Sequence, residues 1–150
     1  MSDDLALNSP NMRDRVVALQ HEMMKMPQVE LPTTHTFHGG LYLREVFRPA
    51  GTLIVGNVHK KDHIYYIVYG TVVVTTDEGV HEITGPALIK STPGTKRAVM
   101  AITDALCFTV HRTDAQTPEE AEPELIENDP TSLFDAQNKL KIPGIEQVNS

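Results

Sequence analysis

Residues 51–70 read GTLIVGNVHKKDHIYYIVYG. Two β-branched and aromatic runs, TLIV and IYYIVY, flank a polar centre that holds Asn57, His59 and His63, and a glycine stands at each end. Branched and aromatic side chains pack well on a pleated surface, and glycine supplies turns, so the stretch predicts strands bounded by reversals. The same texture continues outward. LYLREVF, TLIVGNVH, IYYIVYG, TVVVTTD, VHEITG, ALIKS, AVMAI and ALCFTVH follow one another from about Leu41. Turn signals separate them at Pro49, Ala50 and Gly51, at Asp77, Glu78 and Gly79, at Gly85 and Pro86, and at Pro93 and Gly94. No ten-residue helical pattern interrupts these runs. Strand-helix-strand units and a parallel sheet are therefore disfavoured, and a mainly β antiparallel roll is expected.

The spacing inside residues 51–70 resembles the first cupin motif, which runs Gly, five residues, His-x-His, three or four residues, Glu, six residues, Gly. Every interval is kept here while the ligand types change. Asn57 stands at the first His, His59 at the second, and His63 at the Glu. The second cupin motif runs Gly, five residues, Pro-x-Gly, two residues, His, three residues, Asn, and is similar to GPALIKSTPGTKRAVMA, residues 85–101. Gly94 matches, Arg97 replaces the fourth ligand, Thr92 and Ala101 replace Pro and Asn, and Gly85 lies one residue early. The resemblance covers about a third of the chain and implies a single cupin-type jelly-roll β-barrel. Short cupins of this kind look like ones carried in tailed-phage genomes. The family's metal ligands map onto His59 and His63 alone.

Around this barrel, expected over residues 36–113, two extensions are read. In residues 1–35, Ser9 can cap a helix that starts at Pro10 and shows Met12, Val16, Leu19, Met23 and Met26 at helical spacing until Pro27. A Pro- and Thr-containing connector follows, in which His35 and His38 are read as exposed loop residues. Residues 114–150 are acidic and punctuated by proline. Thr117, Pro118 and Glu120 form a capped helix start, and Asp129 with Pro130 a second. Short docked helices or a partly ordered tail are expected there.

Composition limits the function classes. The net charge of −7 argues against nucleic acid as a partner, whose affinity comes largely from Lys and Arg displacing counterions. No apolar run is long enough to cross a bilayer, and the acidic start lacks a secretory pattern, so no membrane association and a cytoplasmic location are expected, or the virion for a phage structural protein. The single cysteine, Cys107, is expected as a small buried hydrophobe. Both faces of TLIV and of TVVV are apolar, which points to a homodimer covering the second face; the alternative is cover by the terminal extensions.

Asn57, His59, His63, Tyr65 and Arg97 are the candidate ligand-binding residues. Asn57 and His59 lie two apart, so on one strand they share a face, and His63 with Tyr65 can reach that face from the next strand. Imidazoles suit a divalent transition metal such as Zn, Fe, Ni, Cu or Mn, but Asn is a poor ligand. Arg97 would oppose a cation and attract a carboxylate or phosphate, unless an acid such as Glu45 pairs with it. Three readings stay open: metal-dependent chemistry, a metal-free pocket for a small anionic molecule, and a non-catalytic structural or regulatory homo-oligomer. The last would use the barrel as a platform and the Met-rich helix, with Met23, Met24 and Met26, or the C-terminal tail to grip a protein partner. Reaction type is not readable from the residues.

Overall fold

The computed structural model describes residues 12–76 and 78–141. These residues form an antiparallel jelly-roll barrel of two sheets, and among them one helix precedes it and one follows. The nine strands are β1 (Thr33–His38), β2 (Leu41–Arg48), β3 (Leu53–Val55), β4 (His63–Tyr69), β5 (Thr71–Thr76), β6 (Gly79–Thr84), β7 (Ala87–Ser91), β8 (Ala98–Ala101) and β9 (Ala105–Arg112). One sheet has the order β1-β2-β9-β4-β7 and the other β3-β8-β5-β6. Every pairing is antiparallel.

Alternation decides which side chains meet between the sheets. Tyr65 and Ile67 on β4, Val72 and Val74 on β5, Val99 on β8, and Ala105 and Cys107 on β9 form the buried core, with Ile83, Ala87 and Ile89 packed on it. Cys107 is a free, buried thiol, as expected. Gly70 turns the chain from one sheet into the other. Its φ is +96°, and a Cβ there would lie 2.4 Å from the Asp104 carbonyl oxygen, so only glycine fits the corner that closes residues 51–70.

Three local expectations change. The edge strand β1 runs over Thr33–His38, three residues before the expected start of the barrel at 36, so His35 and His38 sit on opposite faces of a strand and not in a loop. The run TLIVGNVH is a strand only over Leu53–Val55; Gly56, Asn57 and Val58 continue as a loop, and His59 makes an isolated bridge to Ile126. Asn57 and His59 are therefore not strand neighbours. Among the described residues no helix follows Asp129: its carboxylate accepts from the Thr131 N–H and hydroxyl, closing a turn that residues 132–141 do not continue as a helix.

Helix α1 (Met12–Met23) buries Val16, and Met26 lies in the turn beyond it. Ser9, Pro10 and Asp77 lie outside the described residues. Helix α2 (Pro118–Leu125) starts as expected, with the Thr117 hydroxyl accepting from the Glu120 N–H. It presses Ala121 and Leu125 onto Tyr42 of β2, with Phe37, Ala115 and Ile126 around them. Backbone bonds then tie the chain after α2 to the loop before β4: Lys60 N–H donates to the Leu125 carbonyl at 2.8 Å and Glu127 N–H to Val58 at 2.9 Å. A Lys61–Glu124 ion pair of 2.7 Å runs alongside. These contacts cap one end of the barrel and close the site described next.

Candidate functional site

The two motif segments meet through their backbones. His59 N–H donates to the Thr95 carbonyl at 3.0 Å, and Gly94 N–H donates to the His59 carbonyl at 2.7 Å. Gly56 N–H reaches the Arg97 carbonyl at 3.0 Å, and Lys96 Nζ donates to the Gly56 carbonyl at 2.8 Å. The loop carrying Asn57 and His59 is thus pinned to the loop carrying Arg97, although the two are far apart in sequence. His63 opens β4, directly across from Ser91 on β7. Arg97 Nη1 donates to the Ser91 hydroxyl, and its expected alternative partner Glu45 sits on the opposite face of β2 from the inward Arg44 and Val46.

The sequence reading missed His111. Strand β9 lies between β2 and β4, its register sets His111 across from Tyr42, and the three imidazoles of His59, His63 and His111 stack together. Ring centroids are 4.0 Å apart for His59 and His63, 5.0 Å for His63 and His111, and 5.5 Å for His59 and His111. One ring nitrogen from each lies within 4.8 Å of the others.

Protonation is decided by burial. His63 and His111 are 7% and 5% exposed. Desolvation, then the neighbouring imidazoles and the guanidiniums of Arg44 and Arg97, hold His59 down at about 2. Desolvation with His63 and Arg44 holds His111 at about 3, and burial lowers His63 as well. Three neutral imidazoles therefore face one another at neutral pH. Donation from His63 Nδ1 to the Lys61 carbonyl, 3.3 Å away, leaves the lone pair on Nε2. The second ring position of His111 is held at 2.8 Å by the Thr109 hydroxyl, while His59 Nδ1 is buried with no hydrogen-bond partner.

These donors suit a divalent metal. Two ligands at about 2.1 Å from one ion can lie at most about 4.2 Å apart, so the set needs only a small inward rotation to close on a cation. The fit is chemical as well, since a neutral imidazole is the form that binds metal, and one ring nitrogen of His63 and one of His111 are each held by a hydrogen bond.

All five residues expected from the sequence, Asn57, His59, His63, Tyr65 and Arg97, line a single cavity of about 570 Å³. The same cavity is lined by Tyr42, Arg44 and Arg48 of β2, by His111, by Met23, Met24 and Met26 at the end of α1, and by α2 and residues 132–136. Three guanidiniums, Arg44, Arg48 and Arg97, face it against two carboxyls, Glu122 and Asp135. Burial, the largest cause, raises the Glu122 carboxyl above its ordinary value. A cationic chamber thus sits inside a chain whose net charge is −7.

The topology of two packed antiparallel sheets agrees with known structures. KdgF from Halomonas sp. superposes with a TM-score of 0.51 at 15% identity, over 60% of this chain and 86% of that one. The chain has the cupin fold. A cupin superfamily protein from Desulfitobacterium hafniense gives 0.49 at 11% identity over 59% and 83% of the two chains. An acetylacetone dioxygenase from Acinetobacter johnsonii gives 0.48 at 12% identity over 58% and 66%. No family model and no curated protein sequence matches the chain. One fold hosts many unrelated sites, so the activity of this cupin barrel has to be argued from its cavity.

Proposed function

We propose that this cupin binds a small anionic molecule in its barrel cavity, together with a divalent transition metal held by His59, His63 and His111. The observation that carries this reading is the cluster of three neutral imidazoles, two buried and His59 half-buried, facing a chamber with three arginines. A three-imidazole set brings no negative charge, so a divalent ion held there keeps its full charge beside Arg44 and Arg97. An anionic ligand resolves that excess. The conflict between Arg97 and a cation, evident in the sequence, thereby becomes a preference for anions. A bound ion would supply Lewis-acid polarisation of a ligand oxygen or of water. The residues of the chain bind and orient the ligand: guanidiniums face its charge, and Met23, Met24 and Met26 with residues 132–136 form part of the wall around it.

Metal content of tag-free protein, measured by elemental analysis, tests the reading. About one transition-metal ion per chain is expected in the wild type, and His111→Ala should lose most of it while keeping its β-sheet circular dichroism. Wild-type protein that takes up no Zn, Fe, Ni, Cu or Mn even after incubation with each ion would reject the metal.

A further inference from the structure

We propose that Arg48 is the anion-recognising group of the cavity and that the ligand it recognises is a small organic carboxylate. The proposal deepens the reading above and rests on it for the cavity being a ligand site. Arg48 ends β2 and alternates with Tyr42, Arg44 and Val46, so it faces inward. It is only 8% exposed, and its Nε and Nη1 are buried with no hydrogen-bond partner. The ion pairs between described residues are Arg13–Glu127, Lys25–Glu22, Lys61–Glu124 and Arg112–Asp114, and none includes it. Buried charges are ordinarily paired, so a guanidinium kept dry with open donors is a group whose partner arrives from outside.

A second orphan lies beside it. The Arg48 Cζ is 5.9 Å from the centre of the Tyr65 ring, and the Tyr65 hydroxyl is buried next to the Cys107 thiol without a hydrogen bond of ordinary geometry. Among the neighbouring cations, Arg44 lies in the field of Glu122, and Arg97 donates to Ser91. Arg48 and Tyr65 therefore offer N–H and O–H donors to one acceptor group, with Val46 and Val99 in the adjoining wall. A planar, singly charged carboxylate matches a guanidinium fork plus one phenol, and an apolar body matches that wall. A phosphate dianion would place two charges on one centre, where the site offers a single fork.

The test uses the 150-residue chain stripped of metal with chelator, so that it does not depend on the histidines. Butyrate, succinate, inorganic phosphate and uncharged butyramide are compared at equal ionic strength by thermal unfolding and calorimetric titration. Butyrate or succinate should raise the unfolding midpoint of the wild type, and butyramide should not. Arg48→Met should unfold at a higher temperature than the wild type without ligand, because it removes an unpaired buried charge, and should bind carboxylate about 10- to 100-fold more weakly. Arg48→Lys keeps the charge without the fork, covers the case in which the Met variant does not fold, and should also bind more weakly. A lower ligand-free midpoint with unchanged carboxylate affinity would mean that Arg48 is only a packing cation over Tyr65, and would overturn the proposal. So would a wild type that responds to phosphate alone or to neither carboxylate. Metal content of untreated Arg48→Met separates the two readings: metal kept with carboxylate lost supports this one, and metal lost from His111→Ala with carboxylate binding kept leaves it standing.

Discussion

His59 and His111 carry a pH dependence whose sign follows from burial. Their folded values are about 2 and about 3, against 6.5 for the free side chain. Between those limits the unfolded chain binds more protons than the folded one, so stability of the metal-free protein is full above 6.5 and falls as the pH drops below it. Each histidine contributes a slope of about 1.4 kcal/mol per pH unit in that window. The acids held low in this fold, Glu124 and Asp129, titrate below their ordinary values of 4.5 and 3.8, and Glu122, raised by burial, works with the opposite sign, so a fall in stability from pH 6.5 to 5 is the contribution of the histidines. Urea midpoints of chelator-treated protein should fall steeply from pH 7 to 5, and His59→Asn with His111→Asn should flatten the curve; a flat wild-type curve would count against neutral buried imidazoles. At this scale the sequence disclosed what its spacing preserved. Asn57, His59, His63 and Arg97 are picked out by motif spacing and Tyr65 by alternation from His63, and all line the cavity. His111 sits in ALCFTVH with no motif around it, and only the β2-β9-β4 register places it beside the other two. Alternation on LYLREVFR could have put Arg44 and Arg48 on one face, but not that this face points inward, since a charged residue is usually assigned to water.

Helix α2 is the element whose removal tests the site as a built chamber. Leu125 and Ala121 are buried on Tyr42, which stacks on Phe37 at 4.3 Å and lies 5.7 Å from His111. The helix thereby backs one wall of the histidine cluster. Leu125→Ala should cost about 2–4 kcal/mol, since the barrel end is held by strands and cannot collapse into the gap. Chemical denaturation reads that loss. Truncation after Thr113 should be more severe and should expose Tyr42 to fluorescence quenchers; an unchanged denaturation midpoint on truncation would show that the extension is not part of the packed unit. The Thr117 cap was legible because Thr, Pro and Glu at that spacing carry their own local chemistry. Strand β1 was not, because TTHTFH is polar and follows Pro32; its inward Phe37 and His35 gain their place from Tyr42 across the ladder, where His35 Nδ1 meets the Tyr42 hydroxyl at 2.7 Å. Strand β3 stops at Val55 because the chain must bend to bring His59 against Thr95 and Ile126, which tertiary contacts impose and local propensity does not.

Among the described residues no helix is long and apolar enough to cross a membrane, and the outside of the five-stranded sheet carries exposed apolar side chains, Ile64 and Leu88 among them. Residues paired across strands share a face, so Glu45, Phe108, Tyr66 and Leu88 form one outer row over β2, β9, β4 and β7, and Leu43, Val110, Ile64 and Lys90 form the next. Tyr66 and Phe108 have ring centres 5.2 Å apart, and Leu88 is 53% exposed. We propose that a second copy of this chain covers these rows, which keeps the homodimer expected from the sequence but seats it on this sheet. The argument is self-complementarity. Glu45 lies on β2 and Lys90 on β7, at opposite sides of the apolar centre, so a two-fold axis through that centre would bring each Glu45 towards the Lys90 of the other copy. Neither residue has an ion-pair partner among the described residues. Light scattering coupled to size exclusion should give twice the 16.6 kDa chain mass at micromolar concentration. Leu88→Asp should shift the species to monomer, by placing an unpaired charge in a dry interface. Lys90→Glu should weaken the dimer, and Glu45→Lys combined with Lys90→Glu should restore it, a swap that only this antiparallel seating predicts. A wild type that stays monomeric at those concentrations, or a double variant no tighter than Lys90→Glu alone, would remove the sheet face as the interface.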